Sequence, residues 1–397
     1  MAGRGGIVSL RGKACIVGAY EHPTRKAPDK STAQLHAEVA IGALRDAGLT
    51  RADVDGYFCA GDAPGLGPLS MADYLGLDRL RHVDSTDVGG SSYLLHVAHA
   101  AEAIALGRCS VALVTLAGRP RSEGMATGTA PRPGNPIQPD VQFEYPYGPA
   151  IANMYAMCAM RHMHEFGTTS EQLAWIKVAA SHHAQHNPHA MLRKVVTVEE
   201  VVASPLVADP LHRLDCCVIS DGGGALVVAR PEVARALRRP VVSLRGAGEA
   251  VKHTMGGRVD LTYSAARFSG ARAFEEAGVT PADIRYASIY DSFTITVLMQ
   301  LEDLGFCEKG RGGAFVADGN LISGVGKLPF NTDGGGLCNN HPANRGGMTK
   351  VIEAVRQLRG EAHPTVQVPD CHLALAHGTG GSLGTRHGSA TLILERE

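Results

Sequence analysis

The feature that most constrains this chain is a short segment that occurs twice, 230 residues apart. Residues 46–54 (DAGLTRADV) and 276–284 (EAGVTPADI) share five identical positions. A stretch with helical periodicity precedes each copy, and Gly48 or Gly278 follows it where a left-handed residue commonly ends a helix. A threonine two residues later suits a turn or an N-cap, and an apolar strand comes next. The sequence therefore predicts the same helix, turn and strand in both halves.

The correspondence continues beyond this segment. In the first half a predicted helix at 89–106 is followed by a strand at 110–116, and in the second half a helix ending near residue 358 is followed by a strand at 371–376. Each half then closes with one more apolar strand. We interpret the chain as two copies of a β-α-β-α-β-β unit. Helices inside and outside two sheets would make a duplicated, layered α/β architecture of the αβαβα type.

The repeat divides the chain into a first half, residues 1–238, and a second half, residues 239–397. From about residue 119 to residue 205 the pattern breaks. This part holds Pro- and Gly-rich loops at 131–139, a Tyr-Pro-Tyr-Gly segment at Tyr145, and helical pieces rich in His and Met. It is predicted to be a long insertion in the first half. Such insertions are commonly functional loops or lids, but a structural cap or a dimer surface explains it equally well.

Charge and composition exclude several classes of protein. With 38 Lys and Arg against 39 Asp and Glu, the chain has no electrostatic footprint for nucleic acid. No run of 18 apolar residues is present, so neither a signal peptide nor a membrane span is expected. Nine cysteines without a CxxC pair favour neither a disulfide framework nor a structural zinc site. A reducing, cytoplasmic location is therefore expected.

The histidines of the insertion superficially suggest a metal site. They are His162, His164, His182, His183, His186 and His189. His162 and His164 are two residues apart on a predicted helix and so face different sides, and no acidic partner has the spacing of a zinc hydrolase. We expect a partly exposed helical surface and no bound metal, with Arg161 and His164 beside a ligand tunnel or a subunit contact. Glycine runs without a following ribose-binding acid do not support a nicotinamide site.

Four local motifs, in this order and spacing, resemble the thiolase superfamily. They are LDCC at 214–217 with SDGGGA at 220–225, YDSFT at 290–294, NTDGGGL at 331–337 followed by His341-Pro342, and HGTGG at 377–381. The resemblance covers essentially the whole chain and is greater to the sterol-carrier-protein-X or lipid-transfer-protein type. It implies the thiolase fold and an activity on acyl-CoA thioesters.

The resemblance also implies a cysteine nucleophile at the N-terminus of a buried helix in the first half. Counting back along the predicted helix places that position at Gly90, and no cysteine is there. Ser91 or Ser92 is an alternative nucleophile, although a hydroxyl needs a positioned base, and a pair of helix N-caps is the other interpretation. Cys338, three residues before His341, is a further alternative, as either a relocated nucleophile or an inert buried thiol.

Two residues of the later motifs imply a different reaction. His341 matches the thiolase histidine that activates the nucleophile and donates to the thioester oxygen. Tyr290 stands where biosynthetic thiolases have Asn and the sterol-carrier type has His. It matches the tyrosine that the resemblance to thiolase-like steroid side-chain aldolases implies as the acid/base residue. Retro-aldol cleavage of a β-hydroxyacyl-CoA needs only a base for the β-hydroxyl and a cradle for the thioester enolate. We therefore predict a carbon–carbon lyase for a bulky acyl group, such as a steroid or aromatic acid.

Six further positions are predicted to surround the substrate or its oxyanion. They are Gly90, Ser91, Asp291, His377, Gly378 and Gly380. Asp291 follows Tyr290 on a strand and should face the opposite side, so direct proton transfer between them is not expected. An acyl-CoA C-acyltransferase and a non-catalytic acyl-CoA-binding subunit remain alternative functions.

The resemblance carries expectations about partners as well. It implies a homodimer and a small partner protein with a zinc ribbon and an OB-fold, which would hold any metal. CoA is expected only as part of the substrate, with no separate cofactor.

Overall fold

The computed structural model describes residues 9–127, 147, 150–253, 258–343 and 345–397. Within these residues the strands are β1 (Cys15–Glu21), β2 (Gly56–Phe58), β3 (His82–Asp84), β4 (Val111–Gly118), β5 (Leu206–Ala208), β6 (Leu211–His212), β7 (Gly222–Ala229), β8 (Val242–Lys252), β9 (Tyr286–Ile289), β10 (Leu373–Ser382) and β11 (Thr385–Arg396). The α-helices are α1 (Thr32–Ala47), α2 (Pro68–Leu75), α3 (Ser92–Ala105), α4 (Ile151–Phe166), α5 (Ser170–Ala184), α6 (Val198–Val202), α7 (Pro231–Ala236), α8 (Ala266–Ala277), α9 (Thr294–Asp303), α10 (Gly312–Val316) and α11 (Gly347–Arg359).

The strand order confirms the duplicated unit. Nine strands form one mixed sheet in the order β3-β2-β4-β7-β1-β8-β11-β10-β9. The order β2-β4-β7-β1 in the first half is mirrored by β9-β10-β11-β8 in the second. The two half-sheets of the predicted layered architecture are joined at their edges, because β1 and β8 pair where Cys15 meets Ser243 and Ile16 meets Val242. Each of these strands ends its own half-sheet, so their pairing satisfies backbone groups that would otherwise lie at an open edge.

The helices form the predicted layers. α3 contacts β4 and β7 of its own half and β8, β10 and β11 of the other, while α11 contacts β9 and β10 and also β1 and β7. Leu94 and Val97 of α3 share a buried apolar cluster with Val351 and Val355 of α11. α1 and α8 cover the outer faces of the two half-sheets. The paired central helices thus bring the N-terminus of α3 close to the loops of the second half.

The repeated segment folds alike in both halves. The glycines that end α1 and α8 have φ of 69° and 64°, a left-handed conformation that needs no β-carbon. In each copy the next threonine donates its backbone amide to an aspartate carboxylate at 2.8 Å, from Thr50 to Asp53 and from Thr280 to Asp283. The turns predicted from the repeat are therefore confirmed.

The described part of the insertion is helical. α4 packs against β6, β10 and α9, and α5 packs against α9 and α10. The predicted loops at 131–139 and the segment at Tyr145 lie outside the described residues. The limits of the insertion and the division at residue 238 stay predictions. No helix within the described ranges is long and apolar enough to cross a membrane.

Candidate active site

Tyr290 lies directly after β9 and is 5% exposed. Its backbone amide donates to the carbonyl oxygen of His377 on β10 at 3.0 Å, and its own carbonyl accepts from the Gln300 side chain at 3.1 Å. These bonds on both sides of the residue fix the backbone from which the phenol projects. The sequence places Tyr290 at the end of a strand because apolar residues of β9 give way to the polar Asp291 and Ser292.

The phenol of Tyr290 meets the imidazole of His341. Tyr290 Oη and His341 Nε2 are 3.0 Å apart, and the Gly346 amide donates to the same Oη at 3.3 Å. Burial lowers the pKa of His341 to about 4, so the imidazole is neutral near pH 7. Burial also raises the pKa of Tyr290 above its ordinary value, so the phenol keeps its proton. A neutral imidazole can accept a hydrogen bond from the protonated phenol, so a proton donor and a proton acceptor lie side by side.

Gly90 lies against this pair. It belongs to the single turn Gly89–Ser91 that precedes α3. A β-carbon at residue 90 would overlap the Tyr290 hydroxyl and would stand 2.5 Å from Cε2 of the same ring. It would also stand 2.5 Å from the carbonyl oxygen of Thr379. A side chain at position 90 and a tyrosine in this position therefore exclude each other.

Both candidate serines make local bonds. Ser91 Oγ donates to the carbonyl oxygen of Val88 at 2.9 Å. Ser92 Oγ donates to the carbonyl oxygen of Gly89 at 2.7 Å and accepts from the Val88 amide at 3.0 Å. Each hydroxyl thus serves the backbone turn at the start of α3. Ser91 occupies the N-cap position of α3, but its side chain makes no N-cap bond, so the N-cap interpretation is wrong for this residue. The local bonds of both hydroxyls disfavour a serine nucleophile.

Cys338 is fully buried in the turn Gly335–Asn339. It belongs to the same apolar cluster as Phe293, Leu337 and other residues of the second half. Burial raises the pKa of its thiol, which disfavours the thiolate that a nucleophile requires. The geometry favours an inert core thiol.

Asp291 bonds the turn Gly335–Asn339, and its predicted place near the substrate or its oxyanion stays a prediction. Its carboxylate accepts from the backbone amides of Gly336 at 2.9 Å and Leu337 at 3.1 Å, and it pairs with Lys350 Nζ at 2.6 Å. Both side chains of the ion pair are 1% exposed. Because all its described bonds go to protein groups, Asp291 anchors the turn that leads to His341. As predicted, it makes no direct contact for proton transfer to Tyr290.

The predicted residues of β10 bring two loops together. Gly378 faces Leu94 so closely that a β-carbon would stand 2.5 Å from Leu94 Cδ1, and a β-carbon on Gly380 would overlap the Val88 carbonyl. His377 Nδ1 bonds Thr391 Oγ1 at 2.9 Å, and burial lowers the pKa of this imidazole to about 3. These residues let β10 approach the start of α3. Their predicted contact with substrate stays a prediction.

Tyr155 of α4 is a residue that the sequence motifs did not single out. It is 3% exposed, and its ring lies 4.5 Å from that of Phe293, centroid to centroid. Its hydroxyl donates to the carbonyl oxygen of Gly381 at 3.2 Å. The insertion is thereby tied to the C-terminal end of β10. Only the Met-rich, amphipathic pattern of α4 in the sequence could have drawn attention to it.

The histidines of the insertion prove more buried than expected. His162 contacts Glu302 at 3.0 Å and Thr168 at 2.8 Å, and the backbone amide of Ser323 donates to His183 Nε2 at 2.9 Å. The expectation of a partly exposed surface is therefore wrong for these two side chains, because both bind partners in the second half or the next turn. In the part of the chain that is described, no group of three or more His, Cys, Asp or Glu side chains could hold a metal ion. The absence of a bound metal stays a prediction.

Comparisons with known proteins agree with this architecture. The family described as Thiolase C-terminal domain-like matches residues 248–396. The chain is 36% identical over 389 residues to the 17-hydroxy-3-oxo-4-pregnene-20-carboxyl-CoA lyase of Mycobacterium tuberculosis, covering 94% of this chain and 97% of the relative. It is 33% identical over 377 residues to the acetyl-CoA acetyltransferase of Methanothermobacter thermautotrophicus, covering 93% and 97%. The solved structure of the Ltp2-ChsH2(DUF35) aldolase matches with 34% identity and a TM-score of 0.87 over 98% of each chain.

The mirrored half-sheets, the paired central helices and the match to this aldolase define a thiolase-type α/β fold. The chain belongs to the thiolase superfamily, as its motifs predicted. Its relatives include both a carbon–carbon lyase and an acetyltransferase, so the residues of the site must discriminate between the two reactions.

Proposed function

We propose that this enzyme cleaves a β-hydroxyacyl-CoA by retro-aldol chemistry, with Tyr290 as acid/base and His341 as its proton partner. The observation that carries this proposal is the Tyr290–His341 contact of 3.0 Å beside a glycine at position 90. This tyrosine–histidine pair lies beside Gly90, the position at which the resemblance implies the acyl-transfer nucleophile.

The reaction follows from this pair. The β-hydroxyl proton moves to Tyr290 Oη while the phenolic proton moves to His341 Nε2. The Cα–Cβ bond then breaks, its electrons form the thioester enolate, and the β-carbon becomes a carbonyl. Tyr290 protonates Cα and recovers its proton from His341. The products are a ketone or aldehyde and a shortened acyl-CoA, and the neutral pair is restored without an acyl-enzyme.

The enolate needs nearby positive potential during this step. The N-terminus of α3, a helix of 14 residues, begins two residues after Gly90 and so lies beside the phenol. The unpaired amides of a helix N-terminus carry partial positive charge. Placed next to the reacting carbons, they would stabilise the thioester enolate.

The substrate is proposed to carry a bulky acyl group, such as a steroid or an aromatic acid. The M. tuberculosis relative is named for a steroid CoA thioester, which supports this choice. CoA would enter only as part of the substrate. The Ltp2-ChsH2(DUF35) aldolase structure supports a hetero-oligomer with a partner subunit. We propose further that the partner is small and that this chain forms a homodimer. A cytoplasmic location fits such a soluble CoA-dependent reaction.

The acyltransferase alternative has support from the methanogen relative. It needs a nucleophile, and the three candidates are disfavoured by burial or by local bonds, as described for Ser91, Ser92 and Cys338. The non-catalytic subunit is disfavoured by the assembled Tyr290–His341 pair, which structural binding of acyl-CoA would not require.

Two substrate incubations and a binding assay test the proposal. The enzyme, with and without a DUF35-type partner, is supplied with a β-hydroxyacyl-CoA of the steroid type or with a β-ketoacyl-CoA plus free CoA, and a binding assay is run in parallel. We expect a carbonyl product from the first substrate, loss of that product in Tyr290→Phe, and its retention in Cys338→Ala. Thiolysis that depends on Cys338 would contradict the proposal, and binding without turnover in either case would favour the non-catalytic subunit.

A further inference from the structure

An ion pair between Asp87 and Arg345 connects the two halves of the chain next to the site. Arg345 Nη1 donates to Asp87 Oδ1 at 2.7 Å, and Nη2 donates to Asp87 Oδ2 at 2.9 Å. Asp87 precedes the turn that contains Gly90, and Arg345 precedes Gly346, whose amide binds Tyr290 Oη. A bidentate pair of this kind restricts orientation as well as distance. We call Asp87 and Arg345 the inter-half pair.

Asp87 also organises its own half. Its Oδ1 accepts from the Gly89 amide at 2.9 Å, and its Oδ2 accepts from the Gly61 amide at 3.0 Å. The carboxylate therefore holds the turn before α3 and presents it to the guanidinium of Arg345. The Asp87 side chain thus holds in place the first-half backbone that lies next to Tyr290.

The two loops touch closely at this point. A β-carbon on Gly347 would overlap the carbonyl oxygen of Gly90, and one on Gly346 would stand 2.9 Å from His341 Cδ2. The backbone of Gly347 contacts the backbone of Gly90, so no side chain lies between the two loops to adjust to a change in their spacing. A shift between the loops would pass directly to Tyr290 and His341.

We propose that Asp87 and Arg345 are positioning residues that set the distance between the Gly90 turn and the Gly346 loop, and so hold the Tyr290–His341 pair in its reactive geometry. This inference rests on the proposed function for its kinetic test. The pair is partly exposed, with 19% of the Arg345 side chain and 37% of the Asp87 side chain accessible. Its effect should therefore appear in kcat more than in overall stability, since exposed pairs contribute little to folding.

Arg345→Gln, Asp87→Asn and the double variant test the pair, with Arg235→Gln as the matched control. Arg235 pairs with Glu397 at 3.3 Å, also between the two halves but away from Tyr290. We expect kcat to fall about tenfold to a hundredfold in both single variants, because a displacement of about 1 Å can cost that much. KM should stay within about twofold, the double variant should be no worse than either single one, and Arg345→Lys should recover part of the rate because it keeps the charge.

Hydrogen exchange gives a readout that does not need turnover. Peptides covering residues 84–92 and 342–350 should take up deuterium faster in Arg345→Gln and unchanged in Arg235→Gln. A raised KM with unchanged kcat would overturn the inference and make Arg345 a substrate-binding residue. Unchanged exchange and kcat, or losses that add in the double variant, would also overturn it. Absence of aldol cleavage in the wild-type enzyme would instead refute the proposed function, and the exchange result would still decide the inference.

Discussion

Introducing a side chain at residue 90 should disable the site. A β-carbon there would stand 2.5 Å from the Tyr290 ring, whereas ordinary van der Waals contact begins at 3.4 Å. Relief of the overlap requires a movement of about 1 Å, and the Thr379 carbonyl on the other side blocks retreat of the turn. Overpacking of this size costs about 1–3 kcal/mol of stability, and a phenol displaced by about 1 Å loses roughly a hundredfold in rate.

The double-mutant cycle of Gly90→Cys with Tyr290→Asn isolates this effect. Asparagine is smaller and occupies this position in biosynthetic thiolases, so the double variant should recover most of the stability that Gly90→Cys loses. Urea unfolding measures the stabilities, and release of the carbonyl product measures the rate. A Gly90→Cys variant with wild-type stability and kcat would refute the steric argument. Additive losses of stability in the double variant would refute it as well.

Three other perturbations have defined outcomes. Lys350→Met leaves Asp291 buried without its cation, so urea unfolding should show a loss of about 3–5 kcal/mol, and a loss below about 1 kcal/mol would contradict the buried pair. Because the pKa of His341 is about 4 in the folded chain and near 6.5 in the unfolded one, the unfolded state binds the extra proton first as pH falls. Stability should therefore decline between pH 6.5 and 4, and His341→Asn should flatten that decline. Tyr155→Phe removes the bond to Gly381 and should cost about 1 kcal/mol of stability in thermal unfolding, and an unchanged melting temperature would contradict a stabilising role for this bond.

The architecture could be predicted from the sequence because the repeat indicates the same structural unit in both halves. Residues 46–54 and 276–284 fold into the same helix, turn and strand, and the strand order is mirrored around β1 and β8. The joining of the half-sheets could not be read from either copy, since it depends on contact between the two units. Periodicity within a unit carries no information about such a contact.

The site was predicted where local motifs carry it. Tyr290 and His341 lie 51 residues apart, yet each belongs to a recognisable motif, and the structure brings them into contact. The ion pair between Asp291 and Lys350 could not be predicted from the motifs, because the partner of a charged residue within a helix is known only from the folded structure. The inter-half pair is similar, since 258 residues separate Asp87 from Arg345.

The central claim is that cleavage proceeds without an acyl-enzyme. It is tested most directly by supplying a β-hydroxyacyl-CoA in the absence of free CoA while the intact mass of the protein is followed during turnover. We expect a carbonyl product and a shortened acyl-CoA in equal amounts, no dependence on added CoA, and an unmodified protein mass. A requirement for free CoA, or a protein mass raised by one acyl group, would contradict the claim.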